Sequence, residues 1–435
     1  MKSNSVLRAS KIRSNGAISV MSAILIWQCA ACLKCVEAAD LSVSVNPYSG
    51  VDSSSCDDVS PCQTISYAIR SRNANTVHLS PGHFNESNVF INGVASVSLI
   101  GSNGTVLDCF LSPSSGPALS IVNASVTISL ITFQNCANFN VLGGVGGAIS
   151  AANSSIVTVI DCNFFNNTAQ TGGAIGLASG SLAVSSCFFQ NNAATCPAAA
   201  SAATACSAWG GAIGTIEAPS VMLTNNTFSS NAVNLVLNTV ASDTSRAVAG
   251  GGCVSVMYSL NVSASSVTID ANVFQNCSVL MSGSNAGLSP TGIQFGNTYG
   301  GAVSLYYGLA AANSLVVQNV GSVFTNNQCH NSGITSGVGS AGNAYGGCLS
   351  VYVGQWSVST QGDSSIGRLS LTAMQANISG NTITNCSANI YSQSDSYSGN
   401  SYGGGVSLAV GAYTYVRGVG RSSSSVWGTS DWCRH

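Results

Sequence analysis

Short alternations of apolar and polar residues recur along most of the chain. Typical segments are Ser155–Ile160, Leu182–Val184 and Val267–Ile269, which lie between Gly-rich or Asn-containing stretches. Runs of this length with a period of two predict β-strands that bury one face. No sustained helical period occurs within residues 85–420. The pattern therefore predicts an all-β protein.

Two short motifs alternate along the same region. The first is a double glycine followed by a small and then a branched residue, at Gly146–Ile149, Gly172–Ile175, Gly210–Ile213, Gly251–Val254, Gly300–Val303, Gly346–Leu349 and Gly404–Val406. The second is Phe-x-x-Asn, at Phe164–Asn167, Phe189–Asn192, Phe228–Asn231 and Phe324–Asn327, with degenerate forms at Phe133–Asn135, Phe274–Asn276 and Ile383–Asn385. Such regular alternation indicates a repeat architecture.

The spacing of the motifs is that of one coil of a parallel β-helix. Gly147 and Gly173 are 26 residues apart, and Phe164 and Phe189 are 25 apart. One repeat is too short to bury its own apolar face, whereas stacked repeats share a continuous core. The double glycine suits a tight corner. The Phe is expected to fill the interior, and the Asn to bond to its equivalent one coil away.

The repeats define the domain organisation. Residues 111–416 are predicted to form the β-helix with loop insertions, and residues 417–435 an irregular tail. Residues 39–110 are predicted to form an N-terminal cap and the first coils, with a short helix at Thr64–Arg70, because solenoids need to close the end of their core.

The first 38 residues have the features of an export signal. Basic residues precede the apolar stretch Ala17–Leu33, and the small-residue site Val36–Ala38 follows it. We expect cleavage after Ala38 and an extracellular or cell-surface protein. The alternative is an uncleaved signal anchor, which would be the only membrane attachment.

Few charges are available for ionic partners. Charged residues make up 6% of the chain, against roughly 25% in typical soluble domains. After residue 38 the chain has seven Arg, no Lys and thirteen acidic residues. Nucleic-acid binding is not expected, because no basic stripe can neutralise phosphates.

The Cys and Asn residues fit an exported protein. Fourteen Cys follow the signal, and Cys56 with Cys62 and Cys196 with Cys206 are candidate disulfides that would each close a short loop. Cys162 and Cys187 occupy equivalent repeat positions and either stack as buried thiols or pair. Candidate glycosylation sequons begin at Asn85, Asn103, Asn123, Asn153, Asn166, Asn225, Asn261, Asn276, Asn377 and Asn385.

The alternation of Gly-Gly-Ala-Ile with Phe-x-x-Asn resembles the polymorphic outer-membrane protein repeat family. The opening segments Pro61–Ile65 and Leu79–Phe84 are similar to the wider pectin-lyase-like β-helix superfamily. The resemblance implies a right-handed β-helix, often on the cell surface and often adhesive. No C-terminal β-barrel pattern follows the repeats, and the sequons indicate a eukaryotic relative.

Catalytic chemistry has little support in the sequence. Asp108, Asp161 and Asp270 recur near strand ends as single acids without a neighbouring Lys, so turn capping is the favoured interpretation. His78, His83, His330 and His435 show no metal-ligand spacing. We therefore expect neither a metal nor another cofactor.

The Tyr residues are the candidate binding surface. Tyr299, Tyr345 and Tyr402 each precede a double glycine, and they either form a solvent-facing strip for sugars or partners, or pack at corners. The leading hypothesis is a non-enzymatic glycoprotein for adhesion or for display to glycans or cell-surface proteins. The alternative is a β-helix lyase or hydrolase acting on an acidic polysaccharide.

Overall fold

The computed structural model describes residues 41–111, 116–139, 144–196, 207–237, 248–258, 265–285, 297–307, 315–335, 344–359, 374–392 and 401–416. The predicted export signal (1–38) and the predicted tail (417–435) lie outside these ranges. Within them, no helix is long and apolar enough to cross a membrane.

The described chain is almost entirely β, and its strands form four parallel sheets. Sheet I consists of Ser42–Val45, Thr76–Leu79, Val89–Asn92, Val97–Ile100, Leu119–Val122, Ser125–Ser129, Ile149–Ile160, Ile175–Ser185, Ile213–Ile216, Ser220–Thr224, Val254–Tyr258, Ser265–Asp270, Val303–Tyr307, Leu315–Val320, Leu349–Ser359, Met374–Ser379 and Val406–Val416. Sheet II consists of Gly82–Phe84, Thr105–Asp108, Thr132–Gln134, Asn163–Phe165, Phe188–Gln190, Thr227–Ser229, Val273–Gln275, Val323–Thr325 and Thr382–Thr384.

Sheets III and IV are narrower. Sheet III consists of Ala137–Asn138, Thr168–Ala169, Ala193–Thr195, Ala232–Leu237, Ser278–Asn285, Gln328–Thr335 and Ser387–Ser392. Sheet IV consists of Ala208–Trp209, Ala249–Gly250, Thr298–Tyr299, Ala344–Tyr345 and Ser401–Tyr402. Helix α1 spans Ile65–Arg70, and a 3₁₀ turn spans Cys109–Leu111. The arrangement is consistent with a parallel β-helix, because successive strands of each sheet come from successive coils.

Three columns of left-handed residues mark the corners of the coils. The column between sheets I and II contains Leu130, Asp161, Ser186, Asn225, Ala271, Gly321 and Gly380. The column between sheets II and III contains Asn135, Asn166, Asn191, Ser230, Asn276, Asn326 and Asn385. The column before sheet I contains Gly146, Gly172, Gly210, Gly251, Gly300, Gly346 and Gly403. Turns repeated at the same three positions keep the strands of successive coils in register.

The double glycine meets two different requirements. Gly172 adopts φ +65°, a conformation that glycine tolerates far better than other residues. Gly173 is needed for space instead, because a Cβ there would lie 2.1 Å from the carbonyl oxygen of Gly211 in the next coil. Leu349 pairs with Val406, so the last copy of the motif begins at Gly403 rather than at the predicted Gly404.

A continuous stack of phenylalanines fills the interior behind sheet II. Phe133, Phe164, Phe189, Phe228, Phe274 and Phe324 are fully buried. Neighbouring rings are nearly parallel, with centroids 4.7–5.1 Å apart. The prediction that the Phe of each repeat faces the core is confirmed.

The Asn of the Phe-x-x-Asn motif forms the predicted ladder. Nδ2 of Asn167 donates to Oδ1 of Asn192 at 2.9 Å, and Nδ2 of Asn192 donates to Oδ1 of Asn231 at 2.9 Å. Each of these Asn also donates to the carbonyl of a Phe one coil earlier, as Asn192 does to Phe164 at 3.0 Å. These side chains are buried with their hydrogen-bonding capacity satisfied.

In the degenerate copies of Phe-x-x-Asn, the Asn lies one residue before the ladder position. Asn135, Asn276 and Asn385 lie in the left-handed corner column, and the ladder position that follows them holds Cys136, Cys277 and Cys386. Each of these three Cys is in a disulfide.

The ladder residue and the third residue of the double-glycine motif vary together. Cys277 bonds to Cys253, and Cys386 bonds to Cys348, within one coil in each case. The coils that keep the ladder Asn have Ala at the position of Cys253, namely Ala148, Ala174, Ala212 and Ala302. Each of these coils therefore has either an Ala and a ladder Asn, whose side chain bonds to the neighbouring coils, or a disulfide within the coil.

Helix α1 begins at a pair of carboxylates. Thr64 caps the helix and is held by Asp52, whose Oδ1 accepts from the Thr64 N–H at 2.9 Å. Glu86 accepts from the N–H groups of Ile65 and Ser66 at 2.7 and 3.0 Å. Burial raises the pKa of Glu86 above its ordinary value, although these hydrogen bonds act in the opposite direction.

Glu86→Gln is expected to reduce the pH dependence of stability. Because the folded-state pKa is raised, the contribution of Glu86 to stability is full below its ordinary value of 4.5 and declines as the pH rises through the raised pKa. Urea unfolding from about pH 4 to pH 7 should show this decline in the wild type and a flatter profile in the variant. Identical profiles would contradict the assignment.

Candidate functional site

Tyr299 and Tyr345 of the proposed tyrosine strip are buried, so the binding alternative is wrong for these two residues. These side chains are 1% and 2% exposed. They stack on each other with centroids 5.0 Å apart, and Tyr299 also contacts Tyr306 and Tyr352 of sheet I at 5.3 Å each. Tyr402 pairs with Tyr345 through the backbone.

The burial of these rings follows from the position of sheet IV. Its two-residue strands place Trp209, Tyr299 and Tyr345 against sheet I tyrosines, forming a small aromatic core. Gly250 occupies the same row, and a Cβ there would lie 2.7 Å from the Trp209 ring. Burial raises the pKa of Tyr299. The cluster is thus a packing element that holds sheet IV against sheet I.

The predicted loop disulfides fall partly within the described residues. Cys56 and Cys62 form a disulfide with Cα atoms 5.0 Å apart. Cys196 is disulfide-bonded, and its predicted partner Cys206 lies outside the described residues. Cys162 and Cys187 are buried free thiols, and the N–H of Cys162 donates to Sγ of Cys187 at 3.4 Å. Several disulfides indicate that the protein folds in an oxidising environment.

Nine of the ten sequon asparagines lie within the described residues, and all nine are exposed: Asn85, Asn103, Asn123, Asn153, Asn166, Asn225, Asn276, Asn377 and Asn385. Asn261 lies outside the described residues. Asn166, Asn276 and Asn385 belong to one corner column, where the fold itself favours Asn because this residue tolerates left-handed backbone. These sequons therefore have a structural explanation besides glycosylation.

The three aspartates named in the sequence do not converge. Asp108 lies on sheet II, Asp161 in the first corner column, and Asp270 at the end of a sheet I strand. Three coils separate Asp161 from Asp270, a distance of about 14 Å at the usual strand spacing. Within the described ranges, no group of three or more His, Cys, Asp or Glu side chains is placed to hold a metal ion.

Sheet II presents two rows of side chains to solvent. From Thr132–Gln134 to Val323–Thr325, each three-residue strand buries its middle residue and turns its first and third residues outward. The first row contains His83, Val106, Thr132, Asn163, Phe188, Thr227, Val273, Val323 and Thr382. The second row contains Asp108, Gln134, Phe165, Gln190, Ser229, Gln275, Thr325 and Thr384. Neither row contains a Lys or Arg.

Two phenylalanines also lie in these outward rows. Phe165 follows the buried Phe164, and Phe188 precedes the buried Phe189, so both lie on the solvent side of their strands and are half-buried. Their centroids are 5.8 Å apart, and their planes are inclined at 58°. Because Asn163 pairs with Phe188 and Phe165 pairs with Gln190, the four side chains alternate as ring and amide. We call this group the ring–amide square.

A polar cluster adjoins the ring–amide square. Gln134, the register neighbour of Phe165, donates to Oδ2 of Asp108 at 2.6 Å, and Asn135 donates to Oδ1 at 3.1 Å. Partial burial raises the pKa of Asp108, but the hydrogen bonds from Gln134, Asn135 and the Phe110 N–H, together with nearby His83, outweigh it and the pKa is lowered overall. Asp108 is therefore ionised at neutral pH.

Two exposed aromatic side chains lie beyond Asp108. Phe110 is 76% exposed, and its N–H donates to Asp108. Tyr48 is 72% exposed, and its hydroxyl accepts from the N–H of His83 on the first strand of sheet II. A face with aromatic side chains at two places and amides between them thus extends over several coils.

The sequence motifs contained the signal for the ring–amide square. Fixing Phe164 and Phe189 in the core, as the Phe-x-x-Asn motif does, leaves Phe165 and Phe188 on the opposite side of their strands. An aromatic residue that the core does not explain is a candidate for binding. The recurrence of Tyr before the double glycine, by contrast, is explained by packing.

Comparison with models of known protein families finds no match to this chain. Comparison with curated proteins also finds no similar protein.

Proposed function

We propose that the chain is an exported, non-enzymatic β-helix glycoprotein that adheres to glycans or to a cell surface. The observation that carries the proposal is the nearly uncharged outer face of sheet II, with half-buried aromatic rings among amides and hydroxyls. Such a face can bury ring surface and hydrogen-bond a ligand at the same time. It lies on regular strands, which hold binding side chains rigidly.

The finer description of the fold belongs to the same proposal. The β-helix is right-handed, as parallel crossover connections almost always are, and helix α1 caps its N-terminal end. Ile65, Ala68 and Ile69 of α1 are buried, which supports the capping role. The repeated corners and ladder positions support a distant relation to the polymorphic outer-membrane protein repeats and the pectin-lyase-like superfamily.

Export to the extracellular space or the cell surface fits the disulfides and the exposed sequons. The disulfides favour an oxidising compartment, and the sequon asparagines are placed where an attached glycan would meet solvent. Digestion with an N-glycosidase, followed by mass spectrometry, tests the glycoprotein part of the proposal.

The test is a binding and turnover assay on the full chain secreted from eukaryotic cells. On arrays of neutral and acidic glycans, and on fixed cells, the protein is expected to bind reproducibly and to release no sugar. Release of reducing ends or of unsaturated products from any polysaccharide would overturn the non-enzymatic proposal. Failure to bind any glycan or cell would overturn the adhesive one.

A further inference from the structure

We infer that the ring–amide square binds a neutral oligosaccharide chain, with sugar rings on Phe165 and Phe188 and hydroxyls on Asn163 and Gln190. The inference rests on the proposed glycan binding and assigns its site and ligand class. Four properties of the sheet II face lead to this ligand: unexplained rings, alternating amides, missing positive charge and a neighbouring carboxylate.

The rings have no role in the core. Residues that pair with Phe165 in register are Gln134 and Gln190, and those that pair with Phe188 are Asn163 and Thr227. The fold therefore accepts polar residues at both positions. Two phenylalanines in adjacent coils stand there instead, and together they form an apolar patch on the outer face that core packing does not require.

The alternation of ring and amide matches the surface of a pyranose. One face of a sugar ring is lined with C–H groups, and its rim carries hydroxyls that donate and accept hydrogen bonds. A ligand on the ring–amide square meets the two aromatic rings along one diagonal and the two amides along the other. Amides both donate and accept, so they can satisfy hydroxyls in either orientation.

The charge of the face selects a neutral ligand. The outward rows of sheet II contain no Arg or Lys to pair with an acidic sugar, and His83 lies three strands before Asn163 in the first row. The ionised Asp108 bonds to Gln134, which is the register neighbour of Phe165. This carboxylate would repel a uronic acid chain, whereas it can accept hydrogen bonds from neutral hydroxyls.

Substitutions taken from the repeat itself test the site without disturbing the fold. The double substitution F165Q/F188T places at each position a residue type that a neighbouring coil has at the register-equivalent position. The control is V323T, which changes an exposed residue of the same row several coils away. All proteins carry T168A, which removes the sequon directly after Phe165 and has Ala137 and Ala193 as register precedents.

Titration calorimetry with cellohexaose, laminarihexaose, mannohexaose and hexagalacturonate provides the readout. We expect saturable binding of at least one neutral hexasaccharide, weakened about tenfold or more by F165Q/F188T and unchanged by V323T. Binding of hexagalacturonate alone, unchanged neutral binding in F165Q/F188T, or no binding of any of the four would overturn the inference. If the secreted chain still binds glycan arrays or cells and F165Q/F188T binds them equally, the site is wrong while the proposed function stands.

Discussion

C253A/C277N is expected to unfold at clearly higher denaturant than C253A/C277A. Both variants lack the disulfide, whose loss costs about 3 kcal/mol for a loop of this size. In C253A/C277N, the new Asn occupies the ladder position between Asn231 and Asn327. The strands that precede these three positions pair in register, so the ladder positions of the three coils are aligned. Its amide can make two or three buried hydrogen bonds, so about 2 kcal/mol should be recovered.

The control for this comparison is C253A/C277L, because Leu is close to Asn in size and cannot hydrogen-bond. Chemical denaturation of the three variants measures the difference. If Asn stabilised the coil no more than Leu, ladder hydrogen bonds would not be the source of the recovered stability. A ladder Asn with Ala would then not be interchangeable with the disulfide.

Phe189→Ala and Phe188→Ala are expected to differ strongly although the residues are adjacent. Phe189 is fully buried between Phe164 and Phe228, with centroids 4.7 Å away on each side. Its truncation leaves a cavity and should cost about 4 kcal/mol. Phe188 lies on the outer face, and its truncation should cost less than about 1 kcal/mol.

Thermal and urea unfolding of the two variants give the comparison, with Phe165→Ala as a second outward position. Equal destabilisation by the Phe188 and Phe189 substitutions would mean that the strand Phe188–Gln190 does not alternate as described.

Repeat position, rather than residue identity, decided which sequence predictions were right. Phe164 and Asn167 were assigned to core and ladder, and both assignments are confirmed. The identity of Asn135 predicts a ladder residue, whereas the ladder position, three residues after Phe133, belongs to Cys136. Asn suits both a left-handed corner and a ladder, so its identity alone could not decide between them.

The candidate site was less predictable because burial depends on contacts between distant segments. Tyr299 and Tyr345 become covered through sheet IV packing on sheet I, and no local pattern of two-residue strands reveals that packing. Phe165 and Phe188 were accessible to reasoning from strand alternation alone. The distribution of charge on sheet II also required the register, which only the stacked coils define.

The most direct test of the coil architecture is disulfide mapping of the secreted protein by mass spectrometry under non-reducing conditions. We expect linked peptides joining Cys253 to Cys277 and Cys348 to Cys386, each within one coil, together with Cys109 to Cys136. Links that join Cys253 to Cys348, or Cys277 to Cys386, would contradict it.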